Sequence, residues 1–150
     1  ISGEEVADLQ VVPDALCAVT IGGKIVPSLI DEVPILAVAA SIAKGKSLFR
    51  DMKELRVKES DRIRSIVTEF SKFGIKVVEK KNGFDLTGGL PICGTVGESG
   101  GDHRIAMSLA VLGTVASSHT EVLDVDCIQT SYPDFVPTLR KIAGDVLLTH

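Results

Sequence analysis

The sequence repeats one order of features at an offset of about 70 residues, and this repeat limits the fold more than any other feature. Each copy has an aspartate before an Ala-rich helix, a short strand, a serine, and a second helix that stops at a glycine (Asp31, Ser60 and Gly74; Asp102, Ser131 and Gly144). Such a unit packs helices on a sheet. We therefore expect an α/β chain of the α+β type, with repeat units at about 25–95 and 96–150.

Four segments have the apolar spacing and end signals of helices. Pro34 stands in the first turn of one, and Asp102, a favourable N-cap residue, precedes another. Ser131 and Asp134 form a capping-box-like pair before the last segment, where Pro137 argues for a shorter helix. The predicted helices are VPILAVAASIAK, DRIRSIVTEFSKF, HRIAMSLAVLGTVA and YPDFVPTLRKIA.

Strands are predicted between these helices. IKVVEKKNGFDLTG contains two short β-type runs around Asn82-Gly83, a dipeptide typical of tight hairpin turns. SLFRDM and TEVLDV each follow an Ala-rich helix. ALCAVTIGGKIV is predicted to form two strands joined by Gly22-Gly23.

Composition excludes several classes of function. A formal net charge of -4 provides no basic surface for nucleic acid or anionic lipid, so any anion-binding site must be a local cluster. No apolar run approaches the roughly 20 residues that a membrane span needs. Cys17, Cys93 and Cys127 lack metal-type spacing, and we expect them to be buried, reduced thiols in a cytoplasmic protein.

The charged stretch LRVKESDRIR puts cations at a helix start. Arg62 lies in the first turn of the second predicted helix, Arg104 in that of the third, and Lys58 just upstream of Arg62. A cation there opposes the helix dipole at a cost of roughly 0.3–1 kcal/mol, whereas exposed backbone N–H groups favour an anion. Two such starts indicate a two-pronged clamp for phosphate or carboxylate. The alternative is a solvated charged face with local ion pairs.

Two carboxylates and one imidazole are candidate proton-transfer groups. Asp31 either caps the helix that follows it or, if it is buried beside cations, acts as an acid or base. Glu59 either transfers a proton or serves as the counter-charge of the neighbouring cations. His103 is either structural or shares a proton-transfer step with the adjacent Arg104.

No other catalytic pattern is recognisable. GESGGDHR is Gly-rich before a helix but is neither a P-loop nor GxGxxG, so nucleoside triphosphate binding is not expected. The sequence shows no recognisable pattern of a Ser-His-Asp triad or a Cys-His pair.

Four motifs together indicate a family. LRVKESDRI, GDHRIAMS, LIDEVPILAVAA and SYPDF, in this order and spacing, closely resemble 5-enolpyruvylshikimate-3-phosphate synthase (3-phosphoshikimate 1-carboxyvinyltransferase). The resemblance runs from about residue 10 to the end and covers only about the C-terminal third of the longer family chain.

The resemblance implies an enolpyruvyl transferase-like domain of repeated βαβαββ units, of which this chain would hold about two. It implies a transferase that moves the enolpyruvyl group of phosphoenolpyruvate to the 5-hydroxyl of shikimate 3-phosphate. The hydroxyl attacks C2 while C3 is protonated, and a tetrahedral intermediate then loses phosphate. The reaction belongs to the shikimate pathway, which leads to chorismate and aromatic amino acids, and it needs no metal or organic cofactor.

The resemblance also implies roles for residues within the motifs. Asp31 in LIDEVP is similar to the residue that binds shikimate 3-phosphate and handles its hydroxyl proton, and Lys58 is similar to another contact of that substrate. Glu59 resembles the acid/base at the phosphoenolpyruvate methylene. Arg62 resembles an anchor for phosphoenolpyruvate.

In GDHRIAM, Arg104 resembles the second phosphoenolpyruvate anchor, with His103 beside it as a catalytic helper. Two positions depart from the better-known members of the family. Thr130 stands where they carry a Lys that contacts phosphoenolpyruvate, and Glu54 stands where they carry an Asn. We interpret both as marks of a branch of the family.

The implied partners are the two small-molecule substrates and the N-terminal part of the same protein. That part and the opposite domain have no counterpart in this sequence, so the isolated chain is expected to be nearly inactive. Neither nucleic acid nor a membrane is expected as a partner. The expected location is the cytoplasm, with a plastid left open if a transit peptide has been removed.

Two rival functions stay open. The first is the sister enzyme that adds enolpyruvate to UDP-N-acetylglucosamine, which LRVKESDRI disfavours. The second is a non-catalytic anion-binding module that keeps the fold. The joint presence of Asp31, Glu59, Arg62 and Arg104 argues against this second rival.

Overall fold

A computed structural model describes Gly3 and residues 6–144 of the chain. The strands are β1 (Thr20–Ile21), β2 (Gly45–Phe49), β3 (Lys76–Lys80), β4 (Gly83–Gly88), β5 (Val96–Glu98) and β6 (Glu121–Leu123). The α-helices are α1 (Val26–Leu29), α2 (Val33–Ile42), α3 (Arg62–Lys72), α4 (His103–Gly113), α5 (Ile128–Ser131) and α6 (Phe135–Ala143). Short 3₁₀ helices occupy Gly23–Ile25, Ile30–Glu32, Lys53–Val57 and Val125–Cys127.

Residues 20–88 form a β-α-β-α-β-β unit around a four-stranded sheet. The strand order is β1-β2-β4-β3, with β1 parallel to β2 and the other neighbours antiparallel. The predicted Asn82-Gly83 hairpin is confirmed, with Lys80 opposite Gly83. A glycine is required at position 83 because its φ is +153° and a Cβ would lie 2.0 Å from the carbonyl oxygen of Phe49.

Residues 96–143 contain β5, α4, β6 and α6 in the same order as β1, α2, β2 and α3. β5 is parallel to β6, as β1 is to β2. The last six residues of the second predicted unit, 145–150, lie outside the described part of the chain. The assignment of the two units to one domain of a larger protein stays a prediction.

The core lies between the helices and the inner face of the four-stranded sheet. Phe49 and Phe84 stack there with ring centroids 4.4 Å apart. Ile63, Ile66 and Phe70 are fully buried along one face of α3, as their spacing predicted. Burial stabilises the fold by about 1.5–3 kcal/mol for each large apolar side chain, so the position of α3 is fixed by its packing.

The predicted second strand after Gly22-Gly23 is wrong. Thr20–Ile21 forms β1, but the chain then enters a helix instead of turning back into a strand. Gly23 adopts φ +69°, and Pro27 lies in the first turn of α1. Because a first-turn N–H has no intrahelical partner, Pro27 fits a helix start without losing a hydrogen bond.

The last helix differs from its prediction because a break at Tyr132 separates α5 from α6. Pro137 is the third residue of α6, among the first four N–H positions that have no intrahelical acceptor, so it is accommodated. The predicted capping-box pair is wrong. Asp134 is the N-cap residue of α6, but its side chain accepts no capping hydrogen bond, and Ser131 ends α5.

The expectation of buried thiols is also wrong. Cys17 and Cys93 are exposed and Cys127 is half-buried. Cys17 and Cys93 lie in connecting segments, and Cys127 is the last residue of the 3₁₀ helix Val125–Cys127. None of the three lies in an α-helix that fills the core.

One helical run is longer and more apolar than the sequence pattern suggested. Gly23–Ile42 is continuous through short 3₁₀ turns, has 20 residues and a mean hydropathy of 1.8, and by length and composition alone meets the requirement for a membrane span. The expectation that no apolar run approaches this length is therefore wrong. Val33 and Ala37 of this run are fully buried in the core, and Asp31 in its middle pairs with Arg62. These are features of a core helix.

Candidate active site

The starts of α2, α3 and α4 meet at one side of the core, because these three helices pack against one another. Charged side chains from the three starts and from the segment before α3 form a single cluster. Five of the six predicted site residues are joined in it by hydrogen bonds or ion pairs: Asp31, Lys58, Glu59, Arg62 and Arg104.

Arg62 lies at the centre of this cluster and is 1% exposed. Its Nε donates to Oδ2 of Asp102 over 2.8 Å, and its Nη2 donates to Oδ1 over 3.4 Å. Asp102 is fully buried and also accepts the Ser60 hydroxyl at 2.9 Å. Burying a charge costs several kcal/mol unless a partner compensates it, and here each ion compensates the other. The alternative of a solvated charged face is therefore wrong for Arg62.

Two further carboxylates, which are more exposed than Asp102, complete the contacts of Arg62. Its Nη1 donates to Asp31 Oδ1 over 2.9 Å, and its Nη2 donates to Glu59 Oε2 over 2.5 Å. The side chains of Asp31 and Glu59 are 43% and 49% exposed, so both have access to solvent that Asp102 lacks. The capping interpretation of Asp31 is wrong, because the N-cap residue of α2 is Glu32.

Lys58 and Arg104 lie on either side of Asp31. Lys58 Nζ is 3.2 Å from Asp31 Oδ1 and 3.6 Å from a carboxylate oxygen of Glu54. Arg104 Nη1 donates to the backbone carbonyl of Asp31 and to Oε1 of Glu32, each over 2.9 Å. With Arg62, three cations therefore contact residue 31.

These cations lower the pKa of Asp31. Burial raises that pKa, but the hydrogen bond and charge of Lys58, the charge of Arg104 and the hydrogen bond from Arg62 outweigh burial. The pKa of Asp102 is also lowered, since the hydrogen bonds and charge of Arg62 outweigh its burial. Both groups are therefore carboxylates at neutral pH, and the same cations make Asp31 a weaker base than a free aspartate.

The backbone N–H groups at two helix starts are already hydrogen-bonded. Asp61, the N-cap residue of α3, accepts from the N–H of Arg64, and Asp102, the N-cap residue of α4, accepts from those of Arg104 and Ile105. The expectation that these helix starts present exposed N–H groups to an anion is wrong for these three groups. Any anion affinity must come chiefly from side-chain cations.

The cluster is not cationic overall. Within the described residues its ion pairs join three cations to five carboxylates: Lys58, Arg62 and Arg104 with Asp31, Glu32, Glu54, Glu59 and Asp102. An anionic ligand that binds here must therefore displace a carboxylate from its cation or meet further cations supplied by another part of the protein.

His103 and Thr130 are less closely tied to this cluster. His103 is the first residue of α4 and is half-buried, and no described residue forms a hydrogen bond with its imidazole. The Thr130 hydroxyl donates to the carbonyl of Cys127 over 2.8 Å on the exposed side of α5. The predicted role of His103 therefore rests on its neighbours Asp102 and Arg104 alone.

Asp102 was missed as a site residue, because the sequence predicted only its capping role. The structure gives its carboxylate two roles, as it caps α4 and holds Arg62. A signal was present in the repeat, where Asp102 is the counterpart of Asp31. The two counterparts bind the same guanidinium, so the repeat could have indicated that both face one site.

A groove of about 390 Å³ adjoins the cluster. Asp31, Glu32 and Arg104 form its charged edge, and the remaining wall is mostly apolar: Pro34, Ile35, Met107, Ser108, Val111, Tyr132 and Phe135. Across Gly3 and residues 6–144, no three His, Cys, Asp or Glu side chains are arranged to hold a metal ion.

Comparison with known sequences identifies similar proteins. A sequence model of EPSP synthase (3-phosphoshikimate 1-carboxyvinyltransferase) matches residues 1–139. The 3-phosphoshikimate 1-carboxyvinyltransferase of Carboxydothermus hydrogenoformans is 55% identical over 141 residues, which are 94% of this chain and 33% of that protein. The enzyme of the same name from Synechococcus elongatus is 49% identical over 144 residues, which are 96% of this chain and 32% of that protein.

Solved structures show the same likeness. An EPSP synthase structure from Acinetobacter baumannii matches with a TM-score of 0.81 and 34% identity, over 87% of this chain and 31% of that one. A second structure of EPSP synthase from that organism matches with a TM-score of 0.83 and 26% identity, over 91% and 32%. The expected α/β enolpyruvyl transferase fold is confirmed.

The chain spans about a third of the length of the curated relatives that it matches. The family model nevertheless covers nearly all of the chain, in agreement with the resemblance seen in its four motifs. The chain belongs to the EPSP synthase family.

Proposed function

We propose that this chain forms one wall of the active site of a longer enolpyruvyl transferase, in the cytoplasm. The enzyme transfers the enolpyruvyl group of phosphoenolpyruvate to the 5-hydroxyl of shikimate 3-phosphate and releases phosphate. The observation that carries the proposal is the set of contacts around Arg62. The buried carboxylate of Asp102 binds Nε of this guanidinium. Two carboxylates with greater exposure bind its terminal nitrogens, Asp31 at Nη1 and Glu59 at Nη2.

The contacts of Arg62 support a role as an anion anchor. A guanidinium has five N–H donors, and its planar fork matches carboxylate and phosphate groups. Asp102 is enclosed and keeps Arg62 in position, whereas Asp31 and Glu59 have solvent access. When phosphoenolpyruvate binds, its carboxylate or phosphate takes over an Nη donor from Glu59. The same exchange releases the Glu59 carboxyl toward the substrate.

Two carboxyl groups then carry the proton transfers. Asp31, a carboxylate at neutral pH, accepts the proton of the 5-hydroxyl as the oxygen bonds to C2 of phosphoenolpyruvate. Glu59 takes up a proton from solvent when phosphoenolpyruvate displaces it from Arg62, and it delivers that proton to C3, which gives the tetrahedral intermediate. In the second step Glu59 takes a proton back from C3 as the bond from C2 to the phosphate oxygen breaks. Phosphate leaves with the hydroxyl proton, and the enolpyruvyl ether is the product.

The remaining residues bind and orient the substrates. Lys58, held 3.2 Å from Asp31, contacts shikimate 3-phosphate beside the reacting hydroxyl. Arg104 is the second phosphoenolpyruvate anchor, because its guanidinium lies at the charged edge of the groove. His103 assists proton transfer from the first turn of α4. No step requires a metal or an organic cofactor.

The charge balance supports a further part of the proposal, that the site is completed by the rest of the protein. Both substrates are polyanions, and here three cations are paired with five carboxylates. The further cations that two polyanionic substrates need must therefore come from the part of the protein that faces this chain across the active site. The isolated 150-residue chain is therefore expected to be inert or nearly so, and turnover by this chain alone would contradict that expectation.

Phosphate release by the complete polypeptide tests the proposal. Phosphoenolpyruvate is supplied with either shikimate 3-phosphate or UDP-N-acetylglucosamine, and the wild type is compared with Asp31→Ala. Asp126→Ala is the matched control, because Asp126 is exposed in the 3₁₀ helix Val125–Cys127. Loss of a general base costs about 10²–10⁴-fold in rate. The rate of phosphate release should therefore fall by that factor in Asp31→Ala and stay at the wild-type value in Asp126→Ala.

Each outcome separates the rival functions. Phosphate release only with shikimate 3-phosphate, lost in Asp31→Ala, supports the proposal. Release only with the nucleotide sugar moves the protein to the sister activity. Release with neither acceptor favours a non-catalytic anion-binding module. Full activity of Asp31→Ala with shikimate 3-phosphate keeps the reaction but removes Asp31 from it.

A further inference from the structure

Arg56 connects the segment before α3 to the β3–β4 hairpin. It lies in the 3₁₀ helix Lys53–Val57, and its side chain is 27% exposed. Its Nε donates to the carbonyl of Lys81 over 3.0 Å, and its Nη2 donates to the carbonyl of Lys80 over 2.9 Å. Nη2 also pairs with Glu79 Oε1 at 2.8 Å. Three bonds therefore tie one guanidinium to the end of the hairpin.

The other terminal nitrogen of Arg56 reaches across a short loop. Nη1 pairs with Oδ2 of Asp61 at 2.8 Å, while Oδ1 of Asp61 accepts the N–H of Arg64 and caps α3. Arg56 and Asp61 therefore close the loop 57–60, which contains Lys58 and Glu59. The pKa of Arg56 is raised by its hydrogen bonds to Glu79 and Asp61, in keeping with this bonding.

The loop has few other fixed points outside the contacts of Arg56. At its end, the Ser60 hydroxyl donates to Oδ2 of the buried Asp102 over 2.9 Å. Leu55, just before Arg56, is fully buried and anchors one end in the core. Within the loop, Val57 is 80% exposed. Lys58 and Glu59 make ion pairs with Glu54, Asp31 and Arg62, the same pairs that a bound anion would disturb. The contacts of Arg56 lie outside the substrate cluster and are not disturbed in this way.

We propose that Arg56 is a positioning residue for the transferase reaction, because it holds loop 57–60 so that Lys58 and Glu59 face the substrates. This inference rests on the proposed function. Arg56 contacts neither substrate itself. Only an arginine can make these bonds, because they need several donors in a planar fork, and the single ammonium group of lysine cannot span from Asp61 to the hairpin.

The structure also predicts which kinetic constant changes. Arg62 is anchored by Asp102, independently of Arg56, so the phosphoenolpyruvate anchor should keep its place when the loop moves. A displacement of a catalytic group by about 1 Å can cost about 10²-fold in rate. Arg56→Lys should therefore lower kcat by about 10²-fold and change KM for phosphoenolpyruvate by less than about threefold.

The test uses the complete polypeptide with two readouts, steady-state kinetics and amide hydrogen exchange. Arg64→Lys is the matched control, since Arg64 is exposed and only its backbone N–H is bonded to Asp61. Arg56→Lys should speed the exchange of amides 57–60 and lower kcat, while Arg64→Lys should leave both as in the wild type. Asp61→Asn is a second test, because asparagine still caps a helix but loses the charge that binds Arg56. It should change both readouts in the same direction by a smaller factor.

Unchanged kcat in Arg56→Lys, with or without faster exchange, overturns the inference. If Arg56→Lys does not fold, Asp61→Asn decides in the same way, and full activity of that variant overturns it. An equal fall in kcat for Arg64→Lys also overturns it, because the effect is then not specific to the loop contacts. A wild type inactive with shikimate 3-phosphate overturns the proposed function, and this inference with it. An active wild type with fully active loop variants overturns this inference alone.

Discussion

The carboxylate of Asp102 and the guanidinium of Arg62 form a buried ion pair that joins the start of α4 to the start of α3, with 2.8 Å between Oδ2 and Nε. Neither side chain is more than 1% exposed. Water therefore cannot replace a partner that is removed, and the remaining charge would be left in a medium of low polarity. The pair fixes the relative position of the two helix starts that carry the site.

Replacement of Asp102 by asparagine should destabilise the protein strongly. Asparagine still caps a helix, so α4 keeps its N-cap, but Arg62 loses its buried counter-ion. Breaking a buried pair by removing one partner typically costs about 3–5 kcal/mol. Because Arg62 keeps its ion pairs with Asp31 and Glu59, we expect a loss at the lower end of this range in the free energy of unfolding. Urea denaturation of the complete protein measures it.

The matched control for this prediction is Asp126→Asn, which alters an exposed carboxylate of the same chain. It should stay within about 0.5 kcal/mol of the wild type. A loss of less than about 1 kcal/mol in Asp102→Asn would contradict the prediction, because the ion pair would then contribute no more than an exposed one.

Local signals in the sequence were enough to predict much of the scaffold. The apolar spacing of α3 and the stop at Gly74 identified this helix, and with it the first-turn position of Arg62. The Asn82-Gly83 dipeptide identified the hairpin but not its register, since the two connecting residues are Lys81 and Asn82. Helix periodicity and tight turns depend on residues that are close in sequence, which is why these features could be predicted.

The partners of Arg62 could not be predicted in this way. Asp31 and Asp102 are 31 and 40 residues from it in sequence, and they meet it only because α2, α3 and α4 pack together. Local rules assigned both aspartates to helix caps, which is right for Asp102 and wrong for Asp31. The turn at Gly22-Gly23 was misjudged for a similar reason, since a Gly-Gly pair serves a hairpin or a helix start equally well.

Acid should weaken the fold through the same carboxylates. The pKa values of Asp31 and Asp102 in the folded protein are below the ordinary value of 3.8. Their contribution to stability is therefore complete above pH 3.8 and is lost as the pH falls through the lower folded-state values. At pH values below about 4, we expect the melting temperature of the wild type to decrease as the pH is lowered. The melting temperature of Asp102→Asn should decrease less steeply over the same pH range. Parallel pH profiles of the two proteins would contradict this account of Asp102.

Replacement of Arg62 by lysine should impair phosphoenolpyruvate use. A lysine ammonium cannot stay bound to Asp102 and also present a planar fork to the substrate. Loss of a preorganised charged donor costs about 10²–10³-fold in rate, and we expect kcat/KM for phosphoenolpyruvate in the complete enzyme to fall by this factor. Arg64→Lys is the control, because Arg64 is an exposed arginine in the same helix turn. Equal kinetics of the two variants would exclude Arg62 as an anchor.

Replacement of Glu54 by glutamine should improve the binding of shikimate 3-phosphate. Glu54 is 59% exposed and pairs with Lys58 at 3.6 Å. Under the proposed function, this carboxylate would compete with the substrate phosphate for the cation. An exposed ion pair contributes about 0.2–1 kcal/mol, and its removal should lower KM for shikimate 3-phosphate by about 1.4- to 5-fold. Glu121→Gln, an exposed glutamate on β6, should leave KM unchanged. A higher KM in Glu54→Gln would mean that Glu54 holds Lys58 in its binding position instead of competing for it.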